Sequence, residues 1–215
     1  MTPYVFPPAP QAAVPVRDSA QQYAVSRIFC VGRNYAAHAR EMGFDPDREP
    51  PFYFNKTPAD LVPSGATVPY ALGTQNLHYE MELVIAIGQP AFRVSVDQAL
   101  GCVWGYACGL DMTRRDLQIK SREMGRPWDF GKDFENSAVM SALVPASAIG
   151  HPKSGAISLS VNGTVKQNAD LKDLIWSVPE IVANLSQYYH LQPGDVITGR
   201  IDGVGEIALT IGQPE

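Results

Sequence analysis

The run HYEMELVIAIG, residues 78–88, constrains this chain more than any other stretch. Its residues alternate and are rich in β-branched types, so the spacing predicts a strand. On a strand of period two, Glu80 and Glu82 share one face, while Met81, Leu83 and Ile85 point to the other. Two acids side by side repel each other. That face is therefore either a polar edge turned to solvent or a place where a cation sits between carboxylates. Ligation by oxygen alone suits a hard ion such as Mg²⁺ or Mn²⁺.

A third acid bears on the choice. Asp111 follows CVWGYACGL, an apolar stretch that reads as a buried strand. An acid ending such a stretch is costly unless it is paired or binds a metal. After it comes TRRDLQIKSREMGRPWDFGKDFENSA, dense in Arg, Lys, Asp and Gln, which suits the wall of a pocket for an anion.

Around these runs the chain punctuates itself. RIFCVG, PFYF, TQNLHYEMELVIAIG, CVWGYACGLDM, VITGRI and EIALTIG read as strands. ISLSVNGTVKQNADL reads as a hairpin turning at Asn162-Gly163. Helices are expected over NYAAHAREMG, with Asn34 as a cap, over SVDQALG, over LQIKSREMG and over VPEIVANLSQYYHL, where Ile181, Leu185 and Tyr188 recur at helical spacing. Strands outnumber helices and the two do not alternate, so the fold class is α+β.

At 215 residues the chain can bury one substantial core. With a net charge of −5 and no basic run, it gives a nucleic-acid role little support. No stretch approaches the roughly 20 apolar residues that span a membrane. The start, MTPYVFPPAPQAAVPVRDSA, lacks the charge pattern of a signal peptide. Its prolines predict an extended arm over residues 1–24, on the domain or on a partner, ahead of a single domain over 25–215. Cys30, Cys102 and Cys108 sit in apolar contexts and read as reduced, buried thiols of a cytoplasmic protein.

Taken together, the segments IFCVGRNYAAHAREMG, PFYFNKTPADL, LHYEMELVIAIG, GYACGLDMTRRDLQ and GRPWDFGKDFENSA resemble the fumarylacetoacetate hydrolase superfamily in order and spacing. The likeness runs from about residue 25 onward, and is strongest to its small fumarylpyruvate hydrolases and acylpyruvases. It implies a strand-rich mixed β-roll of the fumarylacetoacetate hydrolase C-terminal domain type, with a few short helices. It also implies Mg²⁺ or Mn²⁺ on Glu80, Glu82 and Asp111, a small 2-oxo acid substrate and a homodimer.

The resemblance assigns roles to further residues. His38, backed by Glu41 on the same helical face, activates water, and Lys132 stabilises a developing enolate. A carboxylate behind an imidazole fixes its tautomer and raises its basicity. Arg115 and Gln118, with Arg33 and Lys56, face the substrate; Arg114 is the alternative to Arg115. The simpler reading of Lys132 is a salt bridge to Asp133. The implied reaction is hydrolysis of the C–C bond of an acylpyruvate, fumarylpyruvate giving fumarate and pyruvate. A decarboxylase of oxaloacetate or an isomerase of a 2-hydroxydienoate would use the same parts.

One departure stands out. The family carries a loop PGD-apolar-I-x-TGTPxGVG and then a second GD, whereas here LQPGDVITGRIDGVGEIALTIG runs straight through. The expectation is that the TGTP loop is missing. Thr198 is then the remaining substrate-side candidate, and a metal-binding chain of impaired activity is a third outcome.

Overall fold

The computed structural model describes residues 3–32, 34, 49–199 and 205–214. In chain order its strands are β1 (Ala13–Pro15), β2 (Gln22–Ala24), β3 (Arg27–Gly32), β4 (Phe52–Lys56), β5 (Leu61–Pro63), β6 (Thr67–Val68), β7 (Leu77–His78) and β8 (Met81–Ile87). They continue with β9 (Val103–Asp111), β10 (Thr113–Arg114), β11 (Ala138–Met140), β12 (Val144–Pro145), β13 (Ala156–Val161), β14 (Thr164–Asp170), β15 (Asp195–Gly199) and β16 (Thr210–Ile211). The helices are short: α1 (Val96–Ala99), α2 (Arg115–Glu123), α3 (Asp129–Lys132), α4 (Ala146–Ile149) and α5 (Val178–Leu185). The strand-rich α+β architecture is the one expected.

One mixed sheet organises the fold, in the order β4-β3-β15-β8-β9-β11-β5, with β12 also on β9. Within it β15 runs parallel to β3 and antiparallel to β8, and β5 runs parallel to β11. Period-two alternation sends side chains to two cores. On one face Phe29, Leu83, Ile85 and Tyr106 pack with Ile181 and Leu185 of α5. On the other, Ile28, Val84, Ala107, Met140 and Val196 are covered by Val14 and Val25. Residues 3–11 are exposed, while β1 and β2 form an antiparallel ribbon that inserts Val14 into this second core.

Three expected elements come out shorter. The run TQNLHYEMELVIAIG divides into β7, which pairs with β10, and β8, which pairs with β9. The register carries through the break, from Met81–Leu110 to His78–Thr113. Helix α5 stops at Leu185, and Ser186 Oγ turns back to donate to Ala183 O at 2.8 Å. Tyr188 therefore lies beyond the helix and is exposed, not part of the apolar stripe. Of EIALTIG only Thr210–Ile211 is strand, parallel to β6. The hairpin at Asn162-Gly163 is present as β13–β14, with both turn residues at positive φ. Cys30, Cys102 and Cys108 are free and buried, as expected.

Candidate active site

The site forms where β8 and β9 lie side by side. Glu80 O accepts from Asp111 N at 2.8 Å, so the first and third acids are cross-strand neighbours. Glu82 lies opposite Gly109, two places further along. A small cleft opens there, lined by Lys56, Glu82, Asp111 and Thr198. A Cβ on Gly109 would come within 2.8 Å of the Val84 side chain, so glycine lets β8 and β9 pack closely here.

Lys132 closes one side. Helix α3 ends on it, and the residue is only 1% exposed. Its Nζ donates to Glu80 Oε2 at 2.7 Å, Asp111 Oδ2 at 2.6 Å and Thr113 Oγ1 at 2.8 Å. Burial disfavours the ammonium, but the charges of Asp111 and Glu80 outweigh it and hold Lys132 well above the usual lysine range. Burial would likewise raise Glu80, yet Lys132 and Arg115 hold its carboxyl below the usual range. The simpler reading of Lys132 fails: Asp133 accepts instead from Thr57 N at 2.6 Å and Thr57 Oγ1 at 2.9 Å.

Lys56 is buried as well. Its Nζ donates to Met112 O at 3.1 Å and to Lys132 O, and lies 2.9 Å from Asp111 Oδ1. It lines the cleft, but it also ties together β4, the end of β9 and α3. Arg115 pairs with Glu80 and donates to Gln118 Oε1 at 2.6 Å. Gln118 is buried, so these two groups meet each other and an acid of the site. Arg114 instead lies over the Phe134 ring at 4.3 Å and donates to Phe130 O at 3.4 Å.

Thr198 comes from β15 and sits opposite Cys30 in the β15–β3 ladder. Burial, then the Asp111 charge, push the Cys30 thiol up to about 12. Asn34, expected as a helix cap, accepts from Trp176 N at 2.8 Å and donates to Trp176 O at 3.0 Å. Arg33, His38 and Glu41, and the helix expected around them, lie outside the described residues, as do 200–204 of the altered loop. Two groups in the site carried no sequence signal. Thr113 receives Lys132, and Gln167, from the hairpin, accepts from Met81 N at 2.9 Å.

The side chains fit a hard divalent cation. Three carboxylates from two neighbouring strands supply oxygen alone. Thr198 Oγ1, buried at the cleft, has no hydrogen-bond partner among the described residues, while Asp111 Oδ1 meets the Lys56 ammonium. Lys132 stands between Glu80 and Asp111, and among the described residues no three His, Cys, Asp or Glu side chains converge on one point. Glu80, Glu82 and Asp111 are nonetheless the group that would hold such an ion.

With a mixed sheet curled round an acid-and-lysine cleft, the chain belongs to the fumarylacetoacetate hydrolase family: the model of the fumarylacetoacetate (FAA) hydrolase C-terminal domain matches residues 27–214. Fumarylpyruvate hydrolase of a Ralstonia species is 52% identical over 188 residues, covering 80% of this chain and 97% of that protein. The alignment exceeds that share of 215 residues, so the relative has residues with no counterpart here. The crystal structure of fumarylpyruvate hydrolase from Pseudomonas aeruginosa, in complex with Mn²⁺ and pyruvate, superposes with a TM-score of 0.92 at 46% identity, over 98% of this chain and 100% of that one. The mitochondrial oxaloacetate tautomerase FAHD1 of Bos taurus is 39% identical over 84% of this chain and 81% of that protein.

Proposed function

We propose that the chain is a divalent-metal-dependent hydrolase of acylpyruvates, with fumarylpyruvate cleaved to fumarate and pyruvate. Lys132 carries the reading: a buried ammonium between Glu80 and Asp111 on the wall of a cleft, in a chain 52% identical to a fumarylpyruvate hydrolase. Charge supports it too. Glu80, Glu82 and Asp111 are matched by Lys56, Lys132 and Arg115, so a divalent cation and a dianionic substrate enter with equal and opposite charge.

Held by the three acids, Mg²⁺ or Mn²⁺ would supply a Lewis acid for the 2-oxo acid end of the substrate. Lys132 is held protonated, so it is no base; its charge offsets the negative charge that develops as pyruvate leaves as its enolate. His38, oriented by Glu41, takes the proton from water, and the hydroxyl adds to the distal acyl carbonyl before the bond to the methylene breaks. Thr198 and the Arg115–Gln118 pair line the substrate side, with Arg33 and Lys56 beside them.

The likeness to the oxaloacetate tautomerase favours a second reading, in which the same cleft moves a proton in a 2-oxo acid without adding water. Loss of fumarylpyruvate enol absorbance, measured with Mn²⁺ and with chelator, tests the first. Metal-dependent formation of fumarate and pyruvate is expected; Mn²⁺ binding without turnover would leave a chain impaired at its altered loop. His38→Ala should abolish hydrolysis and spare decarboxylation of oxaloacetate, because only hydrolysis needs hydroxide. Equal loss of both would overturn the role given to His38. No helix among the described residues is long and apolar enough to cross a membrane. We place the chain in the cytoplasm as a homodimer, which light scattering checks.

A further inference from the structure

We infer that Gln167 is a positioning residue that fixes the pair of acids at the head of β8. This rests on the reading of Glu80, Glu82 and Asp111 as cation ligands. Because Glu80 O pairs with Asp111 N, the N–H of the next residue, Met81, turns to the opposite edge of the strand. The neighbour on that edge is β15, whose described pairs with β8 run from Val196–Ala86 to Gly199–Leu83. There Gln167 Oε1 accepts from Met81 N at 2.9 Å across 86 residues of sequence.

The hairpin is shaped for this contact. Leu159 faces Gln167 but Ser160 faces Val165, so Lys166 is an extra residue on β14, directly before Gln167. A bulge of this kind bends its strand and re-aims the side chains beside it. The hairpin is held to the body of the protein by Ile157, 1% exposed, and by Leu171, 2% exposed. Gln167 thus supplies the acceptor for the backbone amide of the residue between the two acids. Without that acceptor the Met81 amide loses its partner, and the strand end that sets the angle between Glu80 and Glu82 is free to twist.

Titration of the full chain with Mn²⁺, followed by the electron paramagnetic resonance signal of the free ion, tests this on wild type, Gln167→Leu and Gln167→Glu. The leucine keeps the bulk and loses the acceptor; the glutamate keeps an acceptor at the same reach. Loss of a partner outside the ligand set typically weakens metal binding by about tenfold or more, which is expected for Gln167→Leu, with Gln167→Glu within about threefold of wild type. Wild-type affinity in Gln167→Leu overturns the inference and leaves the site reading standing. A Gln167→Glu protein weakened tenfold also overturns it, and decides the matter even if the leucine variant does not fold. A wild-type chain that binds no Mn²⁺ removes the site reading and this inference together.

Discussion

Replacing Lys132 with methionine separates what the ammonium does for the fold from what it does for the reaction. The side chain is 2% exposed and bonds two carboxylates at 2.7 and 2.6 Å. Removing one partner of a buried ion pair costs about 3–5 kcal/mol. Here each acid keeps a second cation, Arg115 on Glu80 and Lys56 on Asp111. The lower end, about 3 kcal/mol, is therefore expected in chelator. For a chain of this size that lowers the melting midpoint by about 6–12 °C. A cation bound at about a hundred times its Kd returns about 2.7 kcal/mol, so Mn²⁺ should restore most of the midpoint. Turnover should not follow: the lost charge stabilises the leaving enolate, and a loss of about 10²–10³ is expected even with saturating Mn²⁺.

The same pair sets a dependence on pH. Glu80 titrates below its unfolded value of about 4.3, so its contribution is present above that pH and lost as pH falls toward the folded value. Lys132 titrates above its unfolded value of about 10.4, so its contribution is full below that pH and lost as pH rises through the folded value. Lys132→Met should remove the Lys132 share of the alkaline loss and shrink the acid one. Calorimetry in chelator between acid and alkaline pH reads both. An unchanged midpoint at neutral pH, or turnover near wild type, refutes the reasoning.

Two further outcomes follow from packing. A Cβ on Gly131 would lie 2.8 Å from Gln118 N and 2.9 Å from its Cα, so Gly131→Ala must push α3 off α2 and carry Lys132 with it. Overpacking of this kind costs about 1–3 kcal/mol, and fumarylpyruvate turnover should fall about tenfold or more with the fold retained; wild-type kinetics would show that α3 yields without moving Lys132. Cys30 is buried with its thiol pushed up to about 12, so iodoacetamide at pH 8 should leave it unmodified in the native chain and label it in denaturant. Peptide mass mapping that finds equal labelling in both would contradict the packing beneath the cleft.

What could be read from the sequence was local. Alternation in HYEMELVIAIG announced β8, and Asn162-Gly163 announced its hairpin, because both signals lie within a few residues. The work of Lys56 was hidden, since its partners Met112 and Lys132 are 56 and 76 residues away. Gln167 was hidden for the same reason: in sequence it is one polar residue of a polar hairpin. Asp195 was hidden too: it is fully buried, taking Gln192 N at 2.8 Å and the Arg27 guanidinium, 168 residues away. The end of α5 was misjudged because apolar spacing continues through Tyr188 while the backbone turns at Ser186.

The place of β15 in the sheet has a consequence for how the chain is made. A segment spanning 195–199 lies between β3 and β8, two strands synthesised long before it. Until Gly199 has left the ribosome, both of those strands present an open, apolar edge. Pairings so distant in sequence form slowly, and unpaired edges recruit other chains. Synthesis is thus the interval in which this protein is most exposed to aggregation, and a nascent chain stalled before 195 should depend on chaperones in a way that the finished chain does not.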